Sequence, residues 1–427
     1  MEDIPRPPML GFDLLTSEKC LLEPTLKAHI LNEFVEDPES YSNEIHELLM
    51  LREKALSPSV DITSCQLLKK YYCQMNFLKN RFCMEEGEAG AVKFSWKDEN
   101  TKMTATVQDI YFELMCILIN IGSMHATLGA NDCKNSPNGY RMAFTHFRCA
   151  AWVFEEVEQY FNRFTPFITT HYQILAMQYI CKAQAQECIL EEVVKEKRRP
   201  HIPFVLSLQI IEYYSDALTG YYNDYDSEGE SEEEIVIDDY TMYLIKYLEF
   251  KLFYHSSFSL FYHGKYAEIL QQMGLRVAIY EHALDYLEEA RKKVEKVLSS
   301  YQDPIKKTIA FAHEVIEENL RIARNENKSI YHQAVPHFRS IPDYEGKSFV
   351  KGIPFDVFNK EVSGPDLFER LNPLEYHAFG FNRCSDQKDE FLRVLGNNIS
   401  IHDQELTEFM DSKQSEVLNL IENSENN

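Results

Sequence analysis

The chain has 427 residues, of which 44% are hydrophobic, and it contains only 15 glycines and 16 prolines. This length and apolar content allow a large buried core, in two or three domains or in one extended array, and the scarcity of helix breakers favours helices. The formal net charge of -25 excludes general adhesion to nucleic acid or anionic lipid, because both are polyanions, so any membrane contact must be peripheral or indirect.

The cysteines and the N-terminus indicate a soluble cytoplasmic protein. Cysteines such as Cys116 and Cys181 lie in apolar helical stretches, and none of the ten belongs to a CxxC pair. This pattern favours reduced thiols and predicts neither a disulfide framework nor a zinc site. The first residues, MEDIPRPPML, lack the features of a signal peptide, and nowhere do about 18 consecutive apolar residues occur.

The first part of the chain is predicted to combine helices with a small sheet. The stretch PMLGFDLL (residues 8–15) has the short apolar pattern of a strand and is followed by turn-prone Thr16 and Ser17. Helical spacing of apolar residues predicts helices at Glu23 to Phe34, Ser42 to Ala55 and Thr63 to Phe82. In VKFSWKDENTKMTATV (92–107), two β-rich segments flank a polar turn, which predicts a hairpin.

Longer helices are predicted in the middle of the chain. They run at Val107 to Leu128, Tyr140 to Phe161, His171 to Lys197, Pro203 to Thr219, Asp239 to Gln271, Met273 to Leu298 and Asp303 to Asn325. Short connections and small residues favour tetratricopeptide-like stacking, with a period too irregular for strict repeats. We therefore expect a mainly α fold with a tetratricopeptide-like helical solenoid core, a small N-terminal β-sheet and, after Asn327, an extended C-terminal arm.

Two further segments have distinct composition. The acidic insertion DYDSEGESEEEIVIDD, Asp224 to Asp239, repels itself, so we expect a disordered loop between two long helices. Ser227 and Ser231 lie upstream of acidic residues at the spacing that acid-directed kinases favour, which makes them candidate phosphorylation sites; the alternative is a loop that only keeps the chain soluble. A last helix is predicted at Asp386 to Met410, before a polar end.

Motifs of catalysis and metal binding are absent from the sequence, which contains no GxxxxGK[ST], HExxH, GxSxG or phosphatase-type Cys–Arg loop. His125, His146 and His171 each stand alone, and a lone helical histidine is usually structural. The acidic pairs Glu155-Glu156 and Glu191-Glu192 are expected on solvated faces with ordinary acidity. We therefore expect no enzyme activity, no cofactor and no metal site.

The helix containing HIPFVLSLQIIEYY, His201 to Tyr214, is more apolar than one buried face requires. One arc contains Phe204, Leu208, Ile211 and Tyr214, while Ile202, Leu206 and Tyr213 lie almost opposite. The second face is either packed against neighbouring helices or open as a groove for the apolar stripe of a short amphipathic helix. Periodicity leaves both alternatives open.

Five separated stretches together resemble the Bro-one (BRO) domain family. They are CILINIGSMHATLGA (116–130), THFRCAAWVF (145–154), AQAQEC (183–188), IYHQAVP (330–336) and VSGPDLF (362–368). The likeness covers about residues 4–415 and is greatest to the branch that carries a His-domain protein tyrosine phosphatase, including FMDSKQ (409–414). The resemblance implies a boomerang-shaped BRO domain over residues 1–372, followed at 373–427 by a helical extension or the start of another region.

The resemblance also implies a partner. Family members bind the C-terminal amphipathic helix of charged multivesicular body proteins, subunits of the ESCRT-III filament, and act in endosomal sorting. The family's apolar pocket corresponds to Ile189, Ile202 and Leu206. Arg141 stands where a basic residue could pair with a carboxylate of the partner helix, and Thr145 where members differ and partner choice could be tuned.

Two further expectations follow from the resemblance. Tyr331 matches a tyrosine that resembles a kinase substrate in one branch of the family; its alternative is a buried packing tyrosine. The protein is expected to be cytoplasmic and recruited to endosomes, with other endosomal sorting proteins as possible partners at the same pocket. The rival function is a tetratricopeptide-like adaptor that binds an extended peptide of another partner.

Overall fold

The computed structural model describes residues 6–135, 139–163, 169–228, 239–294, 299–338, 341–342 and 344–371. The chain divides into two compact units. The larger comprises Met1–Lys79 and Cys83–Phe368, and the smaller comprises Asn80–Phe82 and Glu369–Asn427. In the smaller unit, Arg81 Nε donates to the Leu371 carbonyl at 2.9 Å. The helix predicted at 386–410 lies outside the described residues, and the domain boundary predicted at residue 372 stays a prediction.

Helices make up most of the larger unit, as the sequence predicts. They are α1 (Leu22–Glu33), α2 (Ser42–Leu56), α3 (Ile62–Lys79), α4 (Ile110–Asn135), α5 (Tyr140–Val157), α6 (His171–Lys195), α7 (His201–Glu228), α8 (Asp239–Ile269), α9 (Met273–Val294), α10 (Ser299–Glu326) and α11 (Lys360–Ser363). Short 3₁₀ segments lie at Pro38–Tyr41 and Glu158–Arg163. Among the described residues, every helix predicted before the C-terminal arm is confirmed.

The predicted hairpin is confirmed as β2 (Phe94–Lys97) and β3 (Thr104–Val107), which pair antiparallel with Phe94 opposite Val107. The strand predicted at residues 8–15 is wrong, because the third strand, β1, is the turn-prone dipeptide Thr16–Ser17, paired with β2. The backbone of the residues before β1 forms hydrogen bonds with side chains instead of with a neighbouring strand. Leu15 N–H donates to Asn120 Oδ1 at 2.7 Å, and Phe12 N–H donates to Thr127 Oγ1 at 3.0 Å.

A buried ion pair connects the sheet to the first helices. Arg52 on α2 donates through Nε to Glu113 on α4 at 3.1 Å, and both side chains are almost fully buried. Tyr71 on α3 and Trp96 on β2 donate to the same carboxylate at 2.8 and 2.6 Å. One carboxylate thus joins α2, α3, α4 and the hairpin, which compensates for the cost of burying charge.

The helices from α4 to α10 pack in chain order, each against the next, as expected for a helical solenoid. Gly122 on α4 permits one close crossing, since a Cβ there would lie 2.8 Å from the Phe154 ring on α5. Within the part of the chain that the structure describes, one stretch, Ile110–Cys133, is long and apolar enough to span a membrane, with a mean hydropathy of 1.3. However, 89% of its apolar 18-residue window is buried inside the protein, so its hydropathy is that of a core helix.

The acidic insertion begins later than predicted, because α7 continues to Glu228. The sequence from Asp224 to Glu228 contains no glycine or proline, and the first such residue is Gly229. The expected start of the loop at Asp224 is therefore wrong by five positions. The structure does not describe residues 229–238, which include Ser231, or the side chain of Ser227. Both phosphorylation sites therefore stay predictions.

The extended arm predicted after Asn327 is confirmed. A π-helical turn at Asn327–Tyr331 ends at His332, whose φ of 52° turns the chain away from α10. The arm then crosses three helices in reverse order. Lys347 N–H donates to the Val205 carbonyl of α7 at 3.3 Å, Phe349 N–H to Gln186 Oε1 of α6 at 3.1 Å, and Ile353 N–H to the Arg148 carbonyl of α5 at 3.2 Å.

Candidate functional site: a groove beside the arm

The predicted site residues on α5 lie on the helix face that the arm crosses. Arg141, Thr145 and Arg148 follow one another at one-turn spacing, so their side chains share a face. Arg148 Nε donates to the Lys351 carbonyl of the arm at 2.6 Å. Arg141 and Thr145 lie beyond the arm and are exposed.

The predicted apolar residues on α6 and α7 lie on the same side. Ile189 is one turn after Gln186, and Ile202 is one turn before Val205. Gln186 Nε2 donates to the Lys347 carbonyl at 2.7 Å, while the Lys347 N–H donates to the Val205 carbonyl. Ile189 and Ile202 are therefore next to the arm, on the side of the α6–α7 connection, and both are partly exposed. We call this surface, with Arg141 and Thr145, the arm-side groove.

Leu206, the third predicted pocket residue, is only 1% exposed. The alternative in which this side chain lines an open groove is therefore wrong. Helices α6 and α8 both pack along α7, and Ile210, one turn after Leu206, is 0% exposed. Tyr213 on the same face is covered by the arm, where its hydroxyl donates to Ser348 Oγ at 2.5 Å. The packed alternative therefore holds for most of this helix, and Ile202 alone of the three second-face residues stays partly exposed.

Arg141 has a partner within the chain. Its Nη2 lies 2.8 Å from Glu192 Oε1 of α6, and its side chain is 78% exposed. The Glu192 carboxylate is the principal cause that raises the pKa of Arg141. An exposed ion pair of this kind is weak and exchanges readily. Sequence reasoning did not identify Glu192 as the partner of Arg141.

A basic turn that sequence reasoning also missed follows α6. Lys195, Lys197 and Arg199 are exposed, and Arg198 donates to Glu196 at 2.7 Å. Lys197 has a φ of 54°, which reverses the chain between α6 and α7. The segment KEKRR was visible in the sequence as a basic cluster in a chain of net charge -25. It places a cluster of basic side chains next to Ile202, whose N–H donates to the Arg199 carbonyl at 3.0 Å.

Contrary to the expectation from the sequence, these histidines do not stand alone. His125 on α4 and His146 on α5 are both buried, and their Nδ1 atoms are 2.8 Å apart. Burial is the main cause that lowers the pKa of both rings. His171 lies 2.7 Å from Glu158. Across the described residues, no group of three or more His, Cys, Asp or Glu side chains could hold a metal ion.

Two carboxyl groups are less solvated than expected. Burial raises the pKa of Glu156, and it raises that of Glu191 to about 7 although Arg6 lies only 2.8 Å away. The expectation of ordinary acidity is wrong for these two residues. The segment that contacts Glu191 belongs to the start of the chain, where Arg6 lies. The helical periodicity of α6 does not reveal this contact.

Tyr331, the candidate kinase substrate, lies at the end of the π-helical turn after α10 and is 41% exposed. The alternative of a buried packing tyrosine is therefore wrong. Ile330 and Val335, close to it in the chain, are 66% and 48% exposed. Its phosphorylation stays a prediction.

Sequence comparisons relate the chain to known proteins. The model of the BRO1-like domain family matches residues 9–392. Human tyrosine-protein phosphatase non-receptor type 23 is 31% identical over 415 residues, which cover 97% of this chain and 25% of that protein. The vacuolar protein-sorting protein bro-1 of Neurospora crassa is 24% identical over 383 residues, which cover 86% of this chain and 37% of the relative. The chain thus spans well under half the length of these relatives.

Solved structures show the same architecture. The ALIX BRO1 domain in its complex with CHMP4C has a TM-score of 0.70 at 18% identity, over 85% of this chain and 99% of that chain. ALIX in complex with the SIVmac239 late domain has a TM-score of 0.73 at 18% identity, over 86% of this chain and 52% of the ALIX chain. At this level of identity the likeness shows the fold, and it confirms the fold class predicted from the sequence.

Proposed function

The chain belongs to the BRO1-like domain family, and from that membership we propose that it binds the C-terminal amphipathic helix of an ESCRT-III charged multivesicular body protein without catalysing a reaction. In this role it supports endosomal cargo sorting and multivesicular body formation, as a cytoplasmic protein recruited to endosomes. Any membrane contact is peripheral or indirect, because the net charge of -25 opposes general binding to anionic lipid.

One observation carries the proposal: Ile189 and Ile202 keep apolar surface accessible beside the arm, while exposed Arg141 and the basic turn after α6 provide cations at the edge. An amphipathic helix presents apolar side chains at i, i+3 and i+4 with charged residues at their margins. The arm-side groove therefore offers both kinds of complementary contact. The solved complex of a structurally similar BRO1 domain with CHMP4C suggests the class of partner.

Binding is expected to be of moderate strength. The partner helix must order as it binds, and this cost offsets part of the gain from two or three apolar anchors at about 1.5–3 kcal/mol each. The dissociation constant should then be in the micromolar range or weaker, since 1 μM corresponds to about 8 kcal/mol. Arg141 exchanges Glu192 for a carboxylate of the partner, and Thr145, exposed one turn later, contributes to the choice among partners.

The rival function, an adaptor for an extended peptide, has less room on this surface. The chain's own arm already lies in extended form across α7, α6 and α5, with backbone bonds at Lys347, Phe349 and Ile353. An external extended peptide would have to displace that arm. A helix that docks beside the arm would leave the arm in place.

The test is a titration of a fluorescently labelled peptide from the C-terminal helix of CHMP4C, followed by anisotropy. We expect saturable micromolar binding and a gain of helicity by circular dichroism. Ile202→Asp should raise the dissociation constant at least tenfold, because a carboxylate would replace an apolar anchor. Phe311→Asp on α10, where the side chain is 39% exposed, is the matched control and should leave binding unchanged. Binding without a gain of helicity would instead support the adaptor function.

A further inference from the structure

Two cysteine thiols from different helices meet beside the first turn of α5. Cys133 lies in the last turn of α4, and Cys188 lies on α6. The Cys188 thiol donates a hydrogen bond to the Cys133 sulfur. Among the nine cysteines that the structure describes, no other pair of thiols is hydrogen-bonded. The fold thus brings together two oxidisable groups that are far apart in the sequence.

Small side chains allow the three helices to approach one another here. Ala130 is one turn before Cys133, and Ala185 is one turn before Cys188. Ala143 on α5 is 0% exposed and shares a buried cluster with Ala185 and Cys188. Ala130 and Cys133 pack against that cluster. Packed helices, and not a loop, therefore hold the two thiols together.

The two cysteines differ in their access to solvent. Cys188 is only 3% exposed, whereas Cys133 is half-buried and also borders a cavity of about 520 Å³. Burial is the main cause that raises the pKa of the Cys188 thiol, so this group stays neutral and does not itself react readily with an oxidant. A water-sized oxidant therefore reaches Cys133 first, while Cys188 is in contact with it.

We propose that Cys133 and Cys188 form a reversible disulfide when the protein is exposed to a hydroperoxide. Hydrogen peroxide transfers one oxygen atom to the Cys133 sulfur, which becomes a sulfenic acid, and one water molecule leaves. The Cys188 sulfur then attacks the Cys133 sulfur. The S–S bond forms as the S–O bond breaks, and the hydroxyl group leaves with the Cys188 proton as a second water molecule. Two thiols thus lose two electrons to one peroxide, and a dithiol reductant reverses the change.

The disulfide requires only a local movement. Its sulfur atoms must come to about 2.05 Å, which is closer than in a hydrogen bond between thiols. Cys133 lies just before Asn135, where α4 ends, and the last carbonyls of a helix have no partner within it, so this turn can adjust while α6 stays in place. Neither cysteine belongs to the arm-side groove, so this proposal is independent of the proposed partner-helix function.

The experiment treats the reduced full chain with hydrogen peroxide, blocks the remaining thiols with N-ethylmaleimide in urea and maps the tryptic peptides by mass spectrometry. Trypsin leaves Cys188 as the one cysteine of peptide 183–195, whereas Cys133 shares peptide 103–134 with Cys116. We expect a disulfide between these two peptides, with the maleimide on Cys116, and their separation after treatment with dithiothreitol. Full alkylation of both peptides while other cysteines are oxidised, or a cross-link through Cys116, would overturn the proposal.

Three variants test the order of the two steps. Cys133→Ser should abolish the cross-link and leave Cys188 alkylated, whereas Cys83→Ser, which removes another half-buried thiol, is the matched control and should keep the cross-link. Cys188→Ala should trap Cys133 as the sulfenic acid, detected as a dimedone adduct that the wild type does not accumulate. Equal dimedone labelling of Cys133 in the wild type and in Cys188→Ala would contradict the second step. If a variant fails to fold, which circular dichroism would reveal, the wild-type peptide map alone still decides the proposal.

Discussion

Ile202 and Leu206 lie one turn apart on α7, yet Leu206 is 1% exposed whereas Ile202 is partly exposed. The boundary between core and surface therefore passes between these two side chains. An aspartate at position 206 would place a charge among packed helices, whereas an aspartate at 202 could reach water.

This boundary predicts opposite effects of the same substitution on stability. Leu206→Asp should lower the free energy of unfolding by about 3 kcal/mol or more, because the carboxylate would be buried without a partner. Ile202→Asp should change it by less than about 1 kcal/mol. Thermal and urea unfolding followed by circular dichroism measure both. Equal stability of the two variants would show that Leu206 is accessible after all.

The ion pair of Arg141 with Glu192 predicts a gain of affinity. Glu192→Gln removes the intramolecular competitor, so Arg141 becomes available to the partner helix. We expect the dissociation constant for the CHMP4C peptide to fall by roughly two- to fivefold at low salt, and the gain to shrink as salt increases. Glu212→Gln, an exposed residue of α7, serves as the control. Weaker binding by Glu192→Gln would mean that Glu192 itself contacts the partner.

The buried carboxylate of Glu113 predicts a large loss of stability on neutralisation. Glu113→Gln leaves the Arg52 guanidinium buried beside a neutral amide, and breaking a buried pair in this way costs about 3–5 kcal/mol. Glu53→Gln, next to Arg52 but exposed, should be nearly neutral. Urea unfolding of the two variants checks the difference. Similar midpoints would contradict the role of Glu113 as the link among α2, α3, α4 and the hairpin.

Glu191 predicts a specific pH dependence. Its pKa in the folded chain, about 7, is above the value of about 4.3 expected for an unfolded glutamate. The folded state therefore binds the proton more tightly, and the contribution of this group to stability is full below pH 4.3 and declines as pH rises towards 7. The Glu191→Gln variant lacks this decline. Between pH 5 and pH 8, its unfolding temperature should rise relative to that of the wild type. Parallel pH profiles of the two proteins would refute the raised pKa of Glu191.

The local sequence pattern was sufficient to predict most of the helices and the hairpin, because periodicity and turn residues determine these elements within a short stretch. It failed where partners come from distant parts of the chain. The extended residues before β1 have the composition of a strand, but their backbone bonds to Asn120 and Thr127, more than 100 positions away. No short-range rule contains that information.

The same reason explains the errors at the site. Leu206 could not be assigned to core or groove, since its burial depends on how α6 and α8 pack along α7. His125 and His146 are 21 positions apart and meet only because α4 and α5 pack together. The acidity of Glu191 depends on the position of Arg6 and the segment after it. Resemblance to the family pointed to Ile189 and Ile202, whose role in binding stays a prediction, but it did not reveal Glu192.

The most direct test of the central claim is the affinity of the CHMP4C C-terminal peptide for the Ile202→Asp variant, measured beside the wild type and the Phe311→Asp control. The arm-side groove predicts at least a tenfold loss for Ile202→Asp, with unchanged unfolding temperature and with normal binding by the control. Wild-type affinity of a folded Ile202→Asp variant would contradict it and would place the partner helix on another surface.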